Sequence, residues 1–222
     1  MSATPDFNGL ARIYRWMEFA SFGPWLWLTR RTYLNRMMGA RRALVLGDGD
    51  GRFTARLLRE NRDVRVDALD ASAAMLDALL RRCGPDAQRV RVHLTDIRKW
   101  QFPAPIVAPA YDLVATHFLL DCLTTQEVRQ LAVRVRGAVE PGGLWVLSEF
   151  AIPEGRLART VSRRIVAALY FCFGLLTGMT VRRLPDYGPA LRDAGFELAD
   201  RRARLGGLLV AELWVVARQG QG

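Results

Sequence analysis

The chain has 222 residues, half of them hydrophobic and 24% charged, which excludes a disordered protein and favours one large folded domain. The formal net charge is +10, but only one of the 32 basic residues, Lys99, is a lysine, and the arginines are scattered along the chain, many as pairs. This scatter favours a solvated basic surface, and we expect no nucleic-acid partner.

The cysteines and the N-terminal residues indicate in which cellular compartment the protein is expected. Cys83, Cys122 and Cys172 are odd in number and far apart, so they predict neither a disulfide framework nor a zinc motif, and no metal site is expected. The first residues lack the basic start and apolar stretch of a secretory signal. We therefore expect a cytoplasmic protein.

Strands and helices are predicted to alternate along most of the chain. Residues 10–38 are expected to be helical, with a break at Gly23-Pro24. Strands are predicted over 43–46, 64–69, 90–94, 111–116 and 144–149, and helices over 53–61, 72–82, 125–139, 160–181 and 186–194. A Gly-Gly turn joins two strand-like runs at the end as a hairpin. The order predicts an α/β fold with a doubly wound, mostly parallel, seven-stranded Rossmann-like sheet and an antiparallel C-terminal hairpin.

A glycine-rich run follows the first predicted strand. It reads Gly47-Asp48-Gly49-Asp50-Gly51. Glycine lets the backbone approach a ligand, and in a doubly wound sheet ligands lie beyond the carboxyl ends of the strands. A dinucleotide fingerprint needs a glycine where Arg52 stands, so the run does not fit a pyrophosphate. Its two carboxylates suit a cationic ligand better than a diphosphate.

The next two predicted strands also end in acidic residues. Asp70 ends the second strand, where a carboxylate can accept hydrogen bonds from both ribose hydroxyls. Asp96 and Ile97 follow the third strand, where an acid can accept from an adenine amine while an apolar side chain packs on the ring. The alternative for both acids is that they cap the following helices.

Taken together, five motifs in order over about residues 43–150 resemble the class I S-adenosylmethionine-dependent methyltransferases, in particular the ubiquinone/menaquinone-type and small-molecule group. The motifs are LVLGDGDG, ALDASAAML, TDI, YDLVATHFLLDCL and VEPGGLWVLSEF. The resemblance implies S-adenosylmethionine as cofactor and S-adenosylhomocysteine as product. The cofactor-binding residues it implies are Gly47, Asp48, Gly49, Asp50, Gly51, Asp70, Ala71, Met75, Asp96, Ile97 and Thr116.

One position departs from the family pattern. The family usually has an acid two residues before the first loop glycine, and this chain has Val45 there. Asp48 or Asp50 is then expected to supply the missing charge to the methionine ammonium. The alternatives are weakened cofactor binding, or a fold that binds S-adenosylmethionine without methylating.

The segment after the fourth strand supplies the catalytic candidates, His117 and Asp121. Methyl transfer from a sulfonium needs mainly alignment and desolvation, and a base only if the acceptor must lose a proton. His117 is a base candidate, with packing against the cofactor as its alternative. Asp121 is predicted to orient His117 or contact substrate, or else to stabilise a helix start.

Two segments outside the shared core are expected to be helical lids within one domain. These are residues 1–42 and the apolar insertion 151–185, which flank the core 43–150; a C-terminal helix and hairpin follow over 186–222. Both lids are rich in aromatic residues, which predicts an apolar small-molecule acceptor. The predicted substrate-contacting residues are Tyr14, Phe22, Phe118, Tyr170 and Phe173.

The uncharged stretch 165–181 leaves the membrane question open. It is bracketed by arginine pairs and is at the lower length limit for a spanning helix. A buried lid helix is favoured, followed by contact with an anionic membrane surface. A lipid headgroup N-methyltransferase is therefore an alternative function. A nucleic-acid-modifying enzyme is disfavoured because no base-flipping motif follows the fourth strand.

Overall fold

The computed structural model describes residues 24–100, 111–152 and 185–217. In these ranges one sheet runs in the spatial order β3-β2-β1-β4-β5-β7-β6. Strands β1 to β5 are parallel, while β7 is antiparallel to both β5 and β6. The strands are β1 (Arg42–Leu46), β2 (Arg65–Asp70), β3 (Val90–Leu94), β4 (Tyr111–His117), β5 (Val139–Phe150), β6 (Phe196–Arg204) and β7 (Leu209–Val216).

Helices cover both faces of this sheet. They are α1 (Trp25–Arg30), α2 (Arg52–Glu60), α3 (Ala73–Cys83), α4 (Thr125–Ala138) and α5 (Tyr187–Asp193). Apolar residues of α2 and α3 share one buried cluster with the sheet, and those of α4 and α5 share another. Short 3-10 turns lie at Leu34–Met37, Gly84–Arg89, Leu120–Cys122 and Leu205–Gly207.

The central strand β1 shows why the sheet is buried on both sides. Ala43 and Val45 belong to the cluster with α2 and α3, whereas Leu44 and Leu46 belong to the cluster with α4 and α5. Successive side chains of a strand point to opposite faces, so a continuous apolar run fits a parallel strand between two helical layers. The predicted doubly wound sheet with an antiparallel C-terminal hairpin is confirmed.

The main difference from the predicted elements lies at the start of β5. The strand predicted over 144–149 begins earlier, at Val139, so that Pro141, Gly142 and Gly143 lie inside it. Tyr111 pairs with Val139 and Leu113 with Leu144, so β5 carries extra residues opposite β4 as a bulge. Gly142 adopts a φ of 81°, which glycine tolerates without steric cost.

The lid predictions are only partly within the described ranges. The predicted helix over 10–38 is described from residue 24, where α1 and the turn Leu34–Met37 replace one continuous helix. Residues 10–23 and the predicted helix 160–181 lie outside the described residues. The division into a core and two lids stays a prediction.

Candidate functional site

The carboxyl ends of the five parallel strands meet at one edge of the sheet. Gly47 follows β1, Asp70 ends β2 and His117 ends β4. Strand β1 has β2 on one side and β4 on the other, so the strand order reverses direction here. This edge is the place where open α/β sheets bind ligands. The structure thus brings together most of the site residues that the sequence predicts.

The three loop glycines after β1 all have left-handed backbones but different surroundings. Their φ values are 66° at Gly47, 60° at Gly49 and 77° at Gly51. A Cβ on Gly51 would lie 2.7 Å from the Leu79 backbone, whereas one on Gly49 would meet only the Met75 sulfur, at 3.8 Å. Gly51 is therefore required for packing against α3, and Gly49 leaves room above its backbone.

The first loop acid, Asp48, holds the start of helix α2. Its Oδ2 accepts hydrogen bonds from the Thr54 backbone N–H at 2.8 Å and the Thr54 hydroxyl at 2.7 Å. Its Oδ1 accepts from the Phe53 N–H at 3.4 Å. Burial raises the pKa of Asp48 to about 6, against the effect of these bonds and of the Arg30 charge. Both carboxylate oxygens therefore have partners within the protein.

The second loop acid, Asp50, is paired with two arginines. Its Oδ2 lies 2.7 Å from Arg82 Nη2 and 3.3 Å from Arg52 Nε. Arg82 Nε also donates to the Asp50 backbone carbonyl at 2.8 Å. Val45, at the position where the family that the sequence resembles usually has an acid, is 1% exposed inside the core. The negative charge that the sequence predicts for the methionine ammonium is thus already engaged at Asp48 and Asp50.

Asp70 connects the end of β2 with the glycine loop. Its Oδ1 accepts from the Ser72 N–H at 2.9 Å. Burial raises its pKa, while backbone hydrogen bonds from Ser72, Gly49 and Ala71 act in the opposite direction. The cap of α3 is Ser72, whose hydroxyl accepts from the Met75 N–H. Ser72, and not Asp70, is therefore the residue that caps α3.

The Asp96 region forms a turn with strong internal contacts. The Asp96 Oδ1 accepts from the Arg98 N–H at 2.9 Å, and Arg98 Nη1 lies 3.4 Å from both carboxylate oxygens. Ile97 packs against the core cluster that includes α4. This turn supplies both carboxylate oxygens of Asp96 with partners within the protein.

His117 is buried at the end of β4. Its Nδ1 lies 3.0 Å from the Ser148 hydroxyl, and its ring meets Phe53 edge-on at 4.3 Å between centroids. Nε2 is buried and has no hydrogen-bond partner among the described residues. Burial, together with the Arg30 charge, lowers the pKa of His117 well below its usual value, so the imidazole is neutral.

Its neighbour Thr116 lies in the core. The side chain is fully buried, and its hydroxyl accepts from the indole N–H of Trp145 at 3.0 Å. Alternate residues of a strand point to opposite faces, so Thr116 and His117 are directed to different sides of the sheet. The Thr116 hydroxyl, which the sequence predicts as a cofactor ligand, is thus hydrogen-bonded within the protein core.

Asp121 is associated with a second acid, Glu149, which the sequence did not single out. Glu149 is 1% exposed, and its Oε1 accepts from the N–H groups of Leu119 at 3.2 Å and Leu120 at 2.9 Å. Burial raises the pKa of Asp121 to about 6. Burial, and then the Asp121 charge, raises that of Glu149. The predicted orientation of His117 by Asp121 is not observed, because Ser148 fills that position.

Phe118 combines a strained backbone with aromatic packing. Its φ is 56°, a region that costs a non-glycine residue about 1–3 kcal/mol. Its N–H donates to the Ser148 carbonyl at 2.7 Å. The ring lies 5.1 Å from Phe150 and 5.3 Å from the Arg30 guanidinium carbon. The other predicted substrate residues, Tyr14, Phe22, Tyr170 and Phe173, lie outside the described residues.

Three buried polar side chains at this edge were not predicted: Arg30, Ser148 and Glu149. The signal available in the sequence was a polar residue at the end of an apolar stretch, as in VLSEF. Within the described ranges, no group of three or more potential ligands could hold a metal ion. No helix in those ranges is long and apolar enough to cross a bilayer.

Comparison with known proteins finds a family match in the central part of the chain. Residues 43–143 match the family model described as a methyltransferase domain. No curated protein sequence matches the chain. The matched segment covers less than half of the chain and is similar to a methyltransferase domain, and the observed sheet order fits the fold of the class I S-adenosylmethionine-dependent methyltransferases.

Solved structures share this fold at low identity. An O-methyltransferase family protein from Burkholderia thailandensis aligns with a TM-score of 0.69 and 18% identity over 95% of this chain and 58% of that one. The methyltransferase SibL aligns with a TM-score of 0.64 and 24% identity over 93% of this chain and 58% of that one. The N-methyltransferase NodS from Bradyrhizobium japonicum, in complex with S-adenosylhomocysteine, aligns with a TM-score of 0.56 and 16% identity over 84% of this chain and 85% of that one. The chain thus spans less than two thirds of the first two relatives.

Proposed function

We propose that this protein transfers a methyl group from S-adenosylmethionine to an apolar small molecule. One observation carries the proposal: a left-handed glycine loop, a ribose-compatible carboxylate and a buried polar cluster converge at the switch point of a methyltransferase sheet. When bound, S-adenosylmethionine supplies a methyl group already activated on a sulfonium. The chain's own residues then have to bind, orient and desolvate the two reactants.

The residues at this edge fit such a cofactor. The space above Gly49 leaves backbone accessible beside Met75, and Asp70 is anchored to that same loop. We assign Asp70 to the ribose hydroxyls, because one of its oxygens is fixed by Ser72 and a carboxylate has further acceptor capacity. The NodS complex with S-adenosylhomocysteine supports the same cofactor and product here.

The methyl-accepting side is apolar. Phe118 and Phe150 pack together beside Leu26 and Leu209 at the end of β4 and β5. Ligand pockets are mostly apolar with a few polar anchors, which favours an apolar acceptor held near Phe118. His117, neutral and bonded to Ser148, is suited to accept or donate one hydrogen bond through Nε2.

The test is calorimetric binding of S-adenosylmethionine to Asp70 variants. Asp70→Ala is expected to weaken binding by about 1.5–3 kcal/mol, as for loss of a charge-assisted hydrogen-bond partner. Asp70→Asn keeps an acceptor for the Ser72 N–H and separates loop structure from ribose binding. Asp77→Ala, an equal change of charge on an exposed residue of α3, is the matched control. Wild-type affinity in both Asp70 variants would contradict the assignment.

A further inference from the structure

We propose that Asp121 and Glu149 act as one proton-accepting pair toward the methyl acceptor, which is therefore an apolar molecule with a hydroxyl group. This inference rests on the proposed function and adds to it the substrate class and a catalytic residue, Glu149. It starts from the places of the two residues in the fold. Asp121 lies in the 3-10 turn Leu120–Cys122 that follows β4, and Glu149 lies near the end of the adjacent strand β5.

A chain of contacts joins the pair to the glycine loop. Glu149 Oε1 holds the backbone N–H groups of Leu119 and Leu120. The Leu119 side chain in turn lies against Gly47, since a Cβ placed there would be 2.7 Å from Leu119 Cδ1. The pair is thus separated from the loop after β1 by a single side chain.

The second oxygen of Glu149 is the unusual feature. Oε2 is buried and has no hydrogen-bond partner among the described residues. No cation in those ranges forms an ion pair with Glu149. A buried acceptor of this kind costs free energy unless a ligand or a proton satisfies it. A hydroxyl group of an acceptor, or the proton taken from it, would satisfy Oε2.

The titratable groups around Asp121 and Glu149 are less suited to accept the proton of the methyl acceptor. Cys122 donates to Asp121 Oδ1 at 3.4 Å, and burial raises the pKa of its thiol well above the usual value. Burial also raises the pKa of Tyr187, at the start of α5, and the negative charges of Glu212 and Glu149 add to this effect. The Tyr187 hydroxyl is hydrogen-bonded to Glu212 of β7. The nearby cation Arg98 binds the Cys122 carbonyl and pairs with Asp96 and Glu127.

His117 is the weaker base candidate. Its pKa is lowered by burial, and a base whose pKa lies far below the working pH gains little from accepting a proton. Two interacting carboxyl groups instead hold one proton between them up to higher pH, because both cannot ionise at low cost. The pair can therefore take up a proton at a pH above the usual range of a carboxyl group.

The proposed step balances as follows. The acceptor oxygen uses a lone pair to bond the methyl carbon, and the electrons of the broken carbon–sulfur bond remain on sulfur as a neutral thioether. The acceptor's hydroxyl proton passes to a carboxylate oxygen of the pair and later to solvent. An amine acceptor in its neutral form attacks with its own lone pair and needs no such base in the transfer step.

The first experiment detects the pair without any substrate. Carbon-13 NMR of the side-chain carboxyls of the whole protein, titrated with pH, should show Asp121 and Glu149 titrating as a coupled pair above the usual range. In Glu149→Gln, Asp121 should titrate at lower pH because a neighbouring negative charge is removed. Independent titration of the two groups at ordinary pH would overturn the proposal.

The second experiment measures methylation of a naphthol and of the naphthylamine with the same ring position. Glu149→Gln keeps an oxygen for the Leu119 and Leu120 N–H groups. It should lower naphthol turnover about 10²–10⁴-fold with a lost pH limb, and it should lower naphthylamine turnover by a much smaller factor without changing the pH profile. Glu149→Ala, which also loses those bonds, should impair both. Glu212→Gln, a buried acid of β7 bonded to Trp214, is the matched control.

Three outcomes separate the proposals. Full naphthol turnover and an unchanged pH profile in Glu149→Gln would overturn the pair as base. Failure of the wild-type protein to methylate any hydroxyl in a panel of apolar phenols and enols, with S-adenosylmethionine binding intact, would overturn the substrate class. Absence of S-adenosylmethionine binding would instead contradict the proposed function, whatever the NMR titration shows.

Discussion

At the scale of single residues, the three loop glycines have separate tasks. A Cβ at Gly51 would overlap the Leu79 backbone, which cannot move without shifting helix α3. A Cβ at Gly49 has room, so the only structural cost there is a left-handed φ of 60°. The sequence pattern alone treats the glycines as equivalent, because it does not contain the position of α3.

This difference gives a paired prediction. Gly51→Ala should lower the free energy of unfolding by about 2–4 kcal/mol through steric overlap and backbone strain. Gly49→Ala should lower it by about 1 kcal/mol, the typical cost of leaving glycine at positive φ. If Gly49 faces the cofactor, only Gly49→Ala should weaken S-adenosylmethionine binding at a temperature where both variants are folded.

Urea denaturation followed by circular dichroism gives the stabilities, and calorimetry gives the affinities. Gly39→Ala is the control, because a Cβ there meets nothing within 4 Å and its φ is not left-handed. Equal loss of stability in the two loop variants would show that the packing difference between Gly49 and Gly51 is not significant.

At the scale of elements, two helices begin with acidic residues whose pKa values are shifted in opposite directions. Asp48 holds the first turn of α2, and burial raises its pKa to about 6. Glu127 closes the capping box of α4 with Thr124. Burial raises the pKa of Glu127, but hydrogen bonds from Thr124 and Arg98 outweigh it and lower the value overall.

The sign of each contribution follows from proton linkage. An acid with a raised pKa binds its proton more tightly in the folded state, so its contribution is present below the unfolded pKa and is lost as pH rises through the folded value. An acid with a lowered pKa contributes above the unfolded pKa and loses that contribution as pH falls. Asp48 should therefore favour the folded state at acidic pH and Glu127 at neutral pH.

The corresponding prediction compares Asp48→Asn and Glu127→Gln with the wild-type protein. The stability of the wild type relative to Asp48→Asn should fall as pH rises from about 4 to about 6. Relative to Glu127→Gln, it should rise as pH increases from below the folded pKa of Glu127 to the ordinary glutamate value. Urea denaturation at several pH values measures both, and parallel curves for all three proteins would contradict the assignment.

At the scale of the whole molecule, the sequence predicts the sheet and the positions of its strand ends well. Apolar runs ending in Gly47, Asp70 and Asp96 mark consecutive strand ends, and that pattern is local in the chain. The Asp121–Glu149 pair was not predictable in this way, because residues about 30 positions apart meet only through the pairing of β4 with β5. The β5 bulge was missed for a similar reason, since its extra residues are defined by the register against β4.

The net charge of the whole molecule supports the last prediction. The described arginine ion pairs are spread over many elements, including Arg82–Asp50, Arg89–Asp86, Arg98–Glu127 and Arg202–Asp200. A net charge of +10 still attracts polyanions at low salt, but counterion release makes such binding steeply salt-dependent.

We therefore expect weak binding to double-stranded DNA and to RNA at ~20 mM salt and none at ~150 mM, as measured by fluorescence anisotropy. If this binding is only diffuse attraction, then two double variants on different elements, Arg201→Gln/Arg202→Gln and Arg62→Gln/Arg65→Gln, should weaken it equally, because each removes two exposed charges. Binding that survives ~150 mM salt, or that is lost in only one of the two variants, would instead indicate a defined nucleic-acid site.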